Sequence, residues 1–308
     1  MTTPARAPKI GSLLTAMLTP FDDRGDVDLH VAARLARHLV DEGNDGLIVC
    51  GTTGESPALD DDEKLALFAT VVDAVGDRAA VVAGTGGNNT HHSVEFTRRA
   101  AQTGVDGILA VVPYYNKPTQ DGMLLHFGAI AHATDLPVIV YNIPSRTGAN
   151  MLPATLLELA RRHPNVAGVK ESSGDCAQFS EILRGRPAGF GFWCGDDHLF
   201  LPSLALGADG LISVAAHVCA REFRELIGAF RAGENARAAR IHLDLSPLFA
   251  ALFATTSPIP VKWAMSELGF AVGPCRSPLG AMPPDIAARL RPLLVPYRDR
   301  VDANAVAG

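Results

Sequence analysis

Gly107-Ile108-Leu109-Ala110-Val111-Val112 is an apolar run without alternation, closed by Pro113. A strand with one wet face alternates, whereas a run that is apolar at every position suits a strand covered on both faces. Seven more such runs occupy residues 13–18, 46–50, 80–83, 137–141, 166–170, 191–194 and 210–214. Their starts lie roughly 20 to 35 residues apart, enough for a strand and a returning helix. Between them the apolar spacing becomes helical, with Leu65, Phe68, Val71, Val72 and Val75 in 62–75, and similar patterns in 93–102 and 153–162. Eight such units predict an α/β fold, a (β/α)8 TIM barrel. An open doubly wound sheet is the alternative. It calls for an early dinucleotide turn, and Gly84-Thr85-Gly86-Gly87 lacks the GxGxxG spacing.

After the eighth run the strands stop. Segments 221–232, 234–253, 259–268 and 284–294 are all helical in pattern. The first is expected to close the barrel and the other three to form a C-terminal appendage. This divides the chain into a catalytic barrel, 1–232, and a helical region, 233–308. The small-residue tail, 301–308, is expected to fray.

The 308 residues are 47% hydrophobic and 19% charged, enough for a large core. A net charge of −6 argues against a nucleic-acid partner. Five cysteines without a CxxC pair point to a reducing compartment rather than a disulfide scaffold. The opening segment lacks the apolar stretch of a signal peptide, and no run is long enough to span a bilayer. The expectation is a soluble, cytoplasmic protein without membrane contact.

In such barrels the chemistry gathers at the carboxyl ends of the strands. Four segments there carry reactive side chains. Gly51-Thr52-Thr53-Gly54-Glu55-Ser56 could form an anion nest for a carboxylate, or a turn and helix cap. Pro113-Tyr114-Tyr115-Asn116-Lys117-Pro118 offers phenols for proton relay, or aromatic packing at a loop or subunit contact. Tyr141-Asn142-Ile143-Pro144-Ser145-Arg146-Thr147-Gly148 sets a tyrosine at a strand end and an arginine able to fork a carboxylate, or to pair with a nearby acid. Val166-Ala167-Gly168-Val169-Lys170-Glu171-Ser172-Ser173 ends its apolar run on a lysine. Burial disfavours a lysine's charge, and a neutral amine can attack a ketone to form a Schiff base. A lysine reaching solvent is the alternative. Taken together, the four supply a nucleophile, a relay and an anion site, as carbonyl condensation requires. Metal readings are weaker: Asp196-Asp197-His198 and His91-His92 are the candidates, with no HExxH motif.

At these residues the chain resembles the pyruvate-dependent class I aldolases, the family of the dihydrodipicolinate synthases and N-acetylneuraminate lyases. The likeness runs from Leu14-Thr15-Ala16-Met17-Leu18-Thr19-Pro20-Phe21 to Pro258-Ile259-Pro260-Val261-Lys262-Trp263, with GTTGES, PYYNKP, YNIPSRTG, GVKESSG, GDD and GLISV in family order. The resemblance implies that Lys170 is the Schiff-base lysine, and that Tyr141, Thr52 and Tyr115 form the proton relay. Tyr115 is implied to reach a neighbouring subunit's site, so the active unit is at least a dimer and commonly a tetramer. Thr53 is implied to bind the pyruvate carboxylate, and Arg146 the carboxylate of the second substrate. Gly195 and Ile212 are implied to line the pocket.

Ser145-Arg146-Thr147-Gly148 and Pro258–Lys262 resemble most the branch that condenses pyruvate with aspartate 4-semialdehyde on the diaminopimelate route to lysine. That implies a lyase without metal or organic cofactor. A sister enzyme acting on a sugar acid, a silent keto-acid-binding barrel and a metal-dependent aldolase are the alternatives. Feedback-inhibited members bind lysine between subunits among His and Glu side chains. Here Asp61, Lys64, Asn88, His92 and Tyr114 fall in that region, and the cations Lys64 and protonated His92 predict weak or absent inhibition by lysine.

Overall fold

The structure, a computed structural model, describes residues 10–300. Both the opening residues and the 301–308 tail therefore lie outside the described residues.

Strands β1 (Leu13–Ala16), β2 (Gly46–Val49), β3 (Ala80–Gly84), β4 (Gly107–Val111), β5 (Val138–Asn142), β6 (Val166–Glu171), β7 (Gly191–Cys194) and β8 (Gly210–Ser213) pair in parallel and in chain order. The barrel closes where β1 meets β8, with Leu14 opposite Ile212. The helices on its outside are α1 (Leu29–Asp41), α2 (Asp61–Val75), α3 (Thr90–Ala101), α4 (Gln120–Ala131), the one-turn α5 (Pro144–Thr147), α6 (Pro153–Arg162), α7 (Cys176–Gly185), the short α8 (Phe200–Ala205) and α9 (Ala216–Arg231). After them come α10 (Asn235–Leu252), α11 (Ile259–Glu267), α12 (Pro284–Leu290) and a 3-10 stretch, Arg291–Arg300. This is the predicted TIM barrel with its C-terminal helices.

The chain starts its helices with side chains that satisfy otherwise unpaired N–H groups. Asp28, Asn89, Thr119 and Asp175 cap α1, α3, α4 and α7, and Asp60 with Glu63 forms a reciprocal capping box on α2. The uninterrupted apolar strands split their side chains between two cores. Ile10, Leu14, Ala16, Ile48, Val82, Leu109, Ile139, Tyr141, Trp193 and Ile212 fill the barrel interior. The outward-facing residues join the helices in a larger core that also takes in Phe249 of α10, Val261 of α11 and Leu290 of α12. The C-terminal helices thus share the barrel's own core.

Three boundaries differ from the sequence reading. β1 stops at Ala16, short of Leu18: the Met17 N–H makes the last ladder bond, to Ile48 O of β2 at 2.9 Å, and the Leu18 N–H turns to His217 Nε2 at 3.1 Å. The barrel-closing helix starts at Ala216 rather than at 221, with a kink at Cys219. The SRTG segment folds into α5, which only its Pro144 start foreshadows. Among the described residues no helix is long and apolar enough to cross a membrane.

Candidate active site

The register fixes which way the strand-end residues face. Tyr141 of β5 pairs with Lys170 of β6, and Lys170 with Trp193 of β7. Paired residues on neighbouring strands point to the same face, and Tyr141 and Trp193 belong to the interior core, so Lys170 points inward. It is 5% exposed, and its Nζ stands 4.1 Å from the centre of the Tyr141 ring. Gly195, just past β7, lets this wall close up. A side-chain carbon there would lie 3.0 Å from Lys170 Cε and 2.0 Å from Ser172 Oγ, so a larger residue would displace the Ser172 hydroxyl and press on the lysine. Ile212 is buried on β8 in the same interior core.

One residue on, the strands face outward and hold a polar scaffold. The Glu171 carboxylate, fully buried, accepts from Asn142 Nδ2 at 3.1 and 3.2 Å, from the Ser173 N–H at 2.7 Å and from Gln178 Nε2 at 3.2 Å. Burial pushes its pKa above the ordinary value, and each of these bonds pulls the other way. Asn142 Oδ1 takes the Met151 N–H at 3.0 Å, and Asn150 bonds both Asn142 and Gln178. The loop after β5, which carries Arg146, is therefore pinned to the strand that carries Lys170.

The GTTGES turn follows β2, on the wall opposite β6. Ser56 N–H bonds Gly51 O, Glu55 N–H bonds Thr52 O, and the Thr19 hydroxyl donates to Gly54 O. Among the described residues neither the Thr52 nor the Thr53 N–H donates to a backbone carbonyl, which leaves two adjacent donors. Thr53 is buried and Thr52 half-buried. Glu55 takes a left-handed backbone (φ 55°), a conformation that costs a non-glycine about 1–3 kcal/mol. Its carboxylate, 1% exposed, holds Lys262 Nζ of α11 at 2.7 Å and the Arg276 N–H at 2.9 Å. Lys262 lies 4.0 Å from the centre of the Phe21 ring. Burial holds the Lys262 pKa below its ordinary value, with Glu55 opposing the shift. Arg276 continues the chain of contacts to Glu63, Ala58 O and Gly25 O. The C-terminal region thus clamps the threonine turn.

A cavity of about 470 Å³ opens over this apparatus. Thr52, Tyr141 and Arg146 line it, together with Gly84 at the end of β3 and Thr85 to Asn89 of the loop that follows. Arg146 is exposed at its edge and donates to Ser257 O at 3.3 Å. Lys170 sits just under Tyr141; it, Thr53, Gly195 and Ile212 are not on the cavity wall. The cavity runs on to Lys64, Asn88, His92 and Tyr114. His92 Nε2 bonds Asp61 at 3.0 Å, and Asp61 also meets Arg99. Tyr115 stands apart: it is 89% exposed, with φ 70°. The non-glycine residues with left-handed backbone among those described, Cys50, Glu55, Tyr115 and Lys117, all sit in the loops after β2 and β4.

The remaining sequence candidates are structural in placement. Asp197, fully buried after β7, accepts from Ser213 Oγ at 2.5 Å and the Ala215 N–H at 3.0 Å, and burial raises its pKa to about 6. His198 lies edge-on to Phe249. His217 donates through Nδ1 to Val214 O and accepts the Leu18 N–H on Nε2, so it is neutral, and burial lowers its pKa to about 4. Among the described residues no three His, Cys, Asp or Glu side chains converge as a metal ion requires. Two features gave no signal in the sequence, the Glu55–Lys262 pair across 207 positions and the Glu171 scaffold.

A closed parallel barrel with an inward strand-end lysine, a tyrosine against it and paired threonines opposite defines a lyase of the class I aldolase type. The family model of the Dihydrodipicolinate synthetase family matches residues 9–294, and the chain belongs to that family. It is 57% identical over 272 residues to the 4-hydroxy-tetrahydrodipicolinate synthase of Symbiobacterium thermophilum, covering 88% of this chain and 92% of the relative. It is 55% identical over 269 residues to the enzyme of the same name from Moorella thermoacetica, covering 87% and 92%. The crystal structure of the Cyanidioschyzon merolae dihydrodipicolinate synthase with lysine bound superposes with a TM-score of 0.92 at 44% identity, covering 93% of this chain and 97% of that one.

Proposed function

We propose that the protein is a 4-hydroxy-tetrahydrodipicolinate synthase, condensing pyruvate with aspartate 4-semialdehyde in the diaminopimelate route to lysine. The observation that carries this reading is the inward Lys170 with its amine on the Tyr141 ring. Neutral Lys170 attacks the pyruvate ketone, and the carbinolamine loses water to give an iminium. The iminium acidifies the methyl group, and loss of a proton gives an enamine. The enamine carbon attacks the aldehyde. The second substrate's amine then attacks the iminium carbon, closing the ring and releasing Lys170. Tyr141, Thr52 and Tyr115 carry the protons. The pyruvate carboxylate takes the Thr53 side of the turn, Arg146 takes the carboxylate of the second substrate, and Gly195 and Ile212 shape the wall.

The exposed, left-handed Tyr115 suits a residue that acts in a neighbouring copy's cavity, so the working form is a homo-oligomer, a tetramer built from dimers. The reaction as written calls on no metal and no organic cofactor, and the protein works in the cytoplasm. Residues 1–232 form the catalytic barrel, and 233–308 the region that clamps it. A sugar-acid substrate fits less well, because Arg146 offers a cation at the mouth where a polyhydroxylated chain needs neutral hydrogen-bonding groups.

The test is incubation with pyruvate and borohydride, followed by peptide mapping. A reduced pyruvate adduct on Lys170, absent in Lys170→Ala, supports the reading. No adduct in folded, oligomeric protein removes its central step.

A further inference from the structure

The GVKESSG segment contains a hydroxyl that the scheme above does not use. Ser172 Oγ is buried and has no hydrogen-bond partner. Among the described residues, it is the one buried side-chain hydroxyl in that position. The unpartnered atoms Glu42 Oε2, His126 Nε2 and His242 Nδ1 belong to α1's end, α4 and α10, outside the barrel. An unmet buried hydroxyl costs about 1–3 kcal/mol, so this is a place to hold a ligand atom or a water that the ligand displaces.

Its position says which partner. The Ser172 N–H bonds Asn142 O at 2.8 Å, so the ladder, and with it the alternation of faces, continues past β6. Two residues after Lys170, Ser172 faces the interior as Lys170 does. Oγ lies 2.0 Å, and Lys170 Cε 3.0 Å, from the point that a Gly195 side-chain carbon would occupy. Lys170 therefore has Tyr141 on its β5 side and the Ser172 hydroxyl on its β7 side. The threonine turn follows β2, four strands from β6 in either direction around the barrel. A pyruvate joined to Nζ with its carboxylate on that turn reaches from the β6 wall, which carries Ser172, toward β2.

Resting on the Lys170 reading, we propose that Ser172 is a catalytic residue of the condensation, donating a hydrogen bond to the aldehyde oxygen of the second substrate as negative charge develops there. When the C3–C bond forms, the carbonyl π pair moves to that oxygen. The Ser172 O–H stabilises it without giving up its proton, and the proton that neutralises it arrives through the tyrosine relay. Ser172 is not on the cavity wall, so this role requires Oγ to turn about the Cα–Cβ bond toward the reacting atoms.

The test compares wild type, Ser172→Ala and Ser172→Thr in separate half-reactions. In Ser172→Ala, borohydride trapping of pyruvate on Lys170 and deuterium exchange into the pyruvate methyl group keep wild-type rates. Condensation with aspartate 4-semialdehyde falls about 100-fold, as for loss of one oxyanion donor. The free Ser172→Ala protein melts no lower than wild type, because it loses no intramolecular bond. Ser172→Thr, which keeps the hydroxyl, restores most of the condensation rate. Condensation by Ser172→Ala within twofold of wild type overturns the inference while leaving Lys170 in place. So does a fall in deuterium exchange that matches the fall in condensation, since that marks a structural role. Absence of any wild-type adduct fails the Lys170 reading, and this one with it.

Discussion

Replacing Lys262 with methionine nearly keeps the side chain's volume, ends it one atom short, and strips the buried Glu55 carboxylate of its counter-ion at 2.7 Å. The two side chains are 2% and 1% exposed, so water does not take the ammonium's place. Breaking a buried ion pair from one side costs about 3–5 kcal/mol. The Arg276 N–H, 2.9 Å from the other carboxylate oxygen, remains and places the loss toward the lower end. With about 0.65 kcal/mol/K of unfolding entropy for 308 residues, a loss of 3–5 kcal/mol lowers the melting temperature by about 5–8 °C. Because Glu55 closes the turn that carries Thr52 and Thr53, the KM for pyruvate rises as well. The assay is calorimetry with steady-state kinetics on Lys262→Met, Glu55→Gln and the double variant. Removing the stranded charge restores at least half of the lost stability in the double variant. The reasoning fails if Lys262→Met melts within 1 °C of wild type, or if the two single losses simply add.

Three further expectations follow from the same geometry. Glu171→Gln brings an amide donor against Asn142 Nδ2 and, depending on which oxygen it replaces, against Gln178 Nε2 or the Ser173 N–H; since Asn142 is held by the Met151 N–H and cannot turn over freely, stability falls by about 1–3 kcal/mol, read as a lower denaturant midpoint with unchanged m-value. His217 has a folded pKa of about 4 against an ordinary 6.5, so the unfolded chain binds the extra proton between those values; stability is full above pH 6.5 and falls on acidification toward 4, by about 3 kcal/mol from this group. His38 and His126, also lowered to about 4, add in the same sense, while Asp197, raised to about 6, opposes them below that pH; His217→Gln reduces the acid slope of a pH–stability titration by one proton. Free lysine inhibits weakly or not at all, because Lys64 and His92 line that arm of the cavity; half-inhibition below 1 mM in a coupled assay contradicts this, with Lys64→Ala expected to raise the sensitivity.

The barrel was legible because its strands are covered on both faces, and runs such as 107–112 therefore carry no alternation. The inward direction of Lys170 was not, since a run apolar at every position hides which residues face the axis. That became definite only through the pairing with Tyr141 and Trp193. The strand-end motifs picked out Thr52, Tyr141 and Arg146, which share a cavity, and Tyr115, which in a single chain does not join them. The Glu55–Lys262 pair joins residues 207 positions apart, and nothing local marks either partner. Ser172 sat unremarked inside a quoted motif, because an unmet hydroxyl is a property of packing and not of spacing.

β6 also carries a constraint on chain length. Its pairing with β5 skips a residue: Val138 faces Val166, and Ile139 faces Gly168, so Ala167 is surplus. From Gly168 onward the phase is strict, with amine inward at 170 and carboxylate outward at 171. One residue gained or lost between 168 and 170 would exchange them, turning a carboxylate into the barrel and an amine into the scaffold behind it. Ala167 is where the strand has slack. A shortened chain lacking only that residue would keep both side chains on their proper faces, whereas natural variation in length should be confined to the loops on either side of β6.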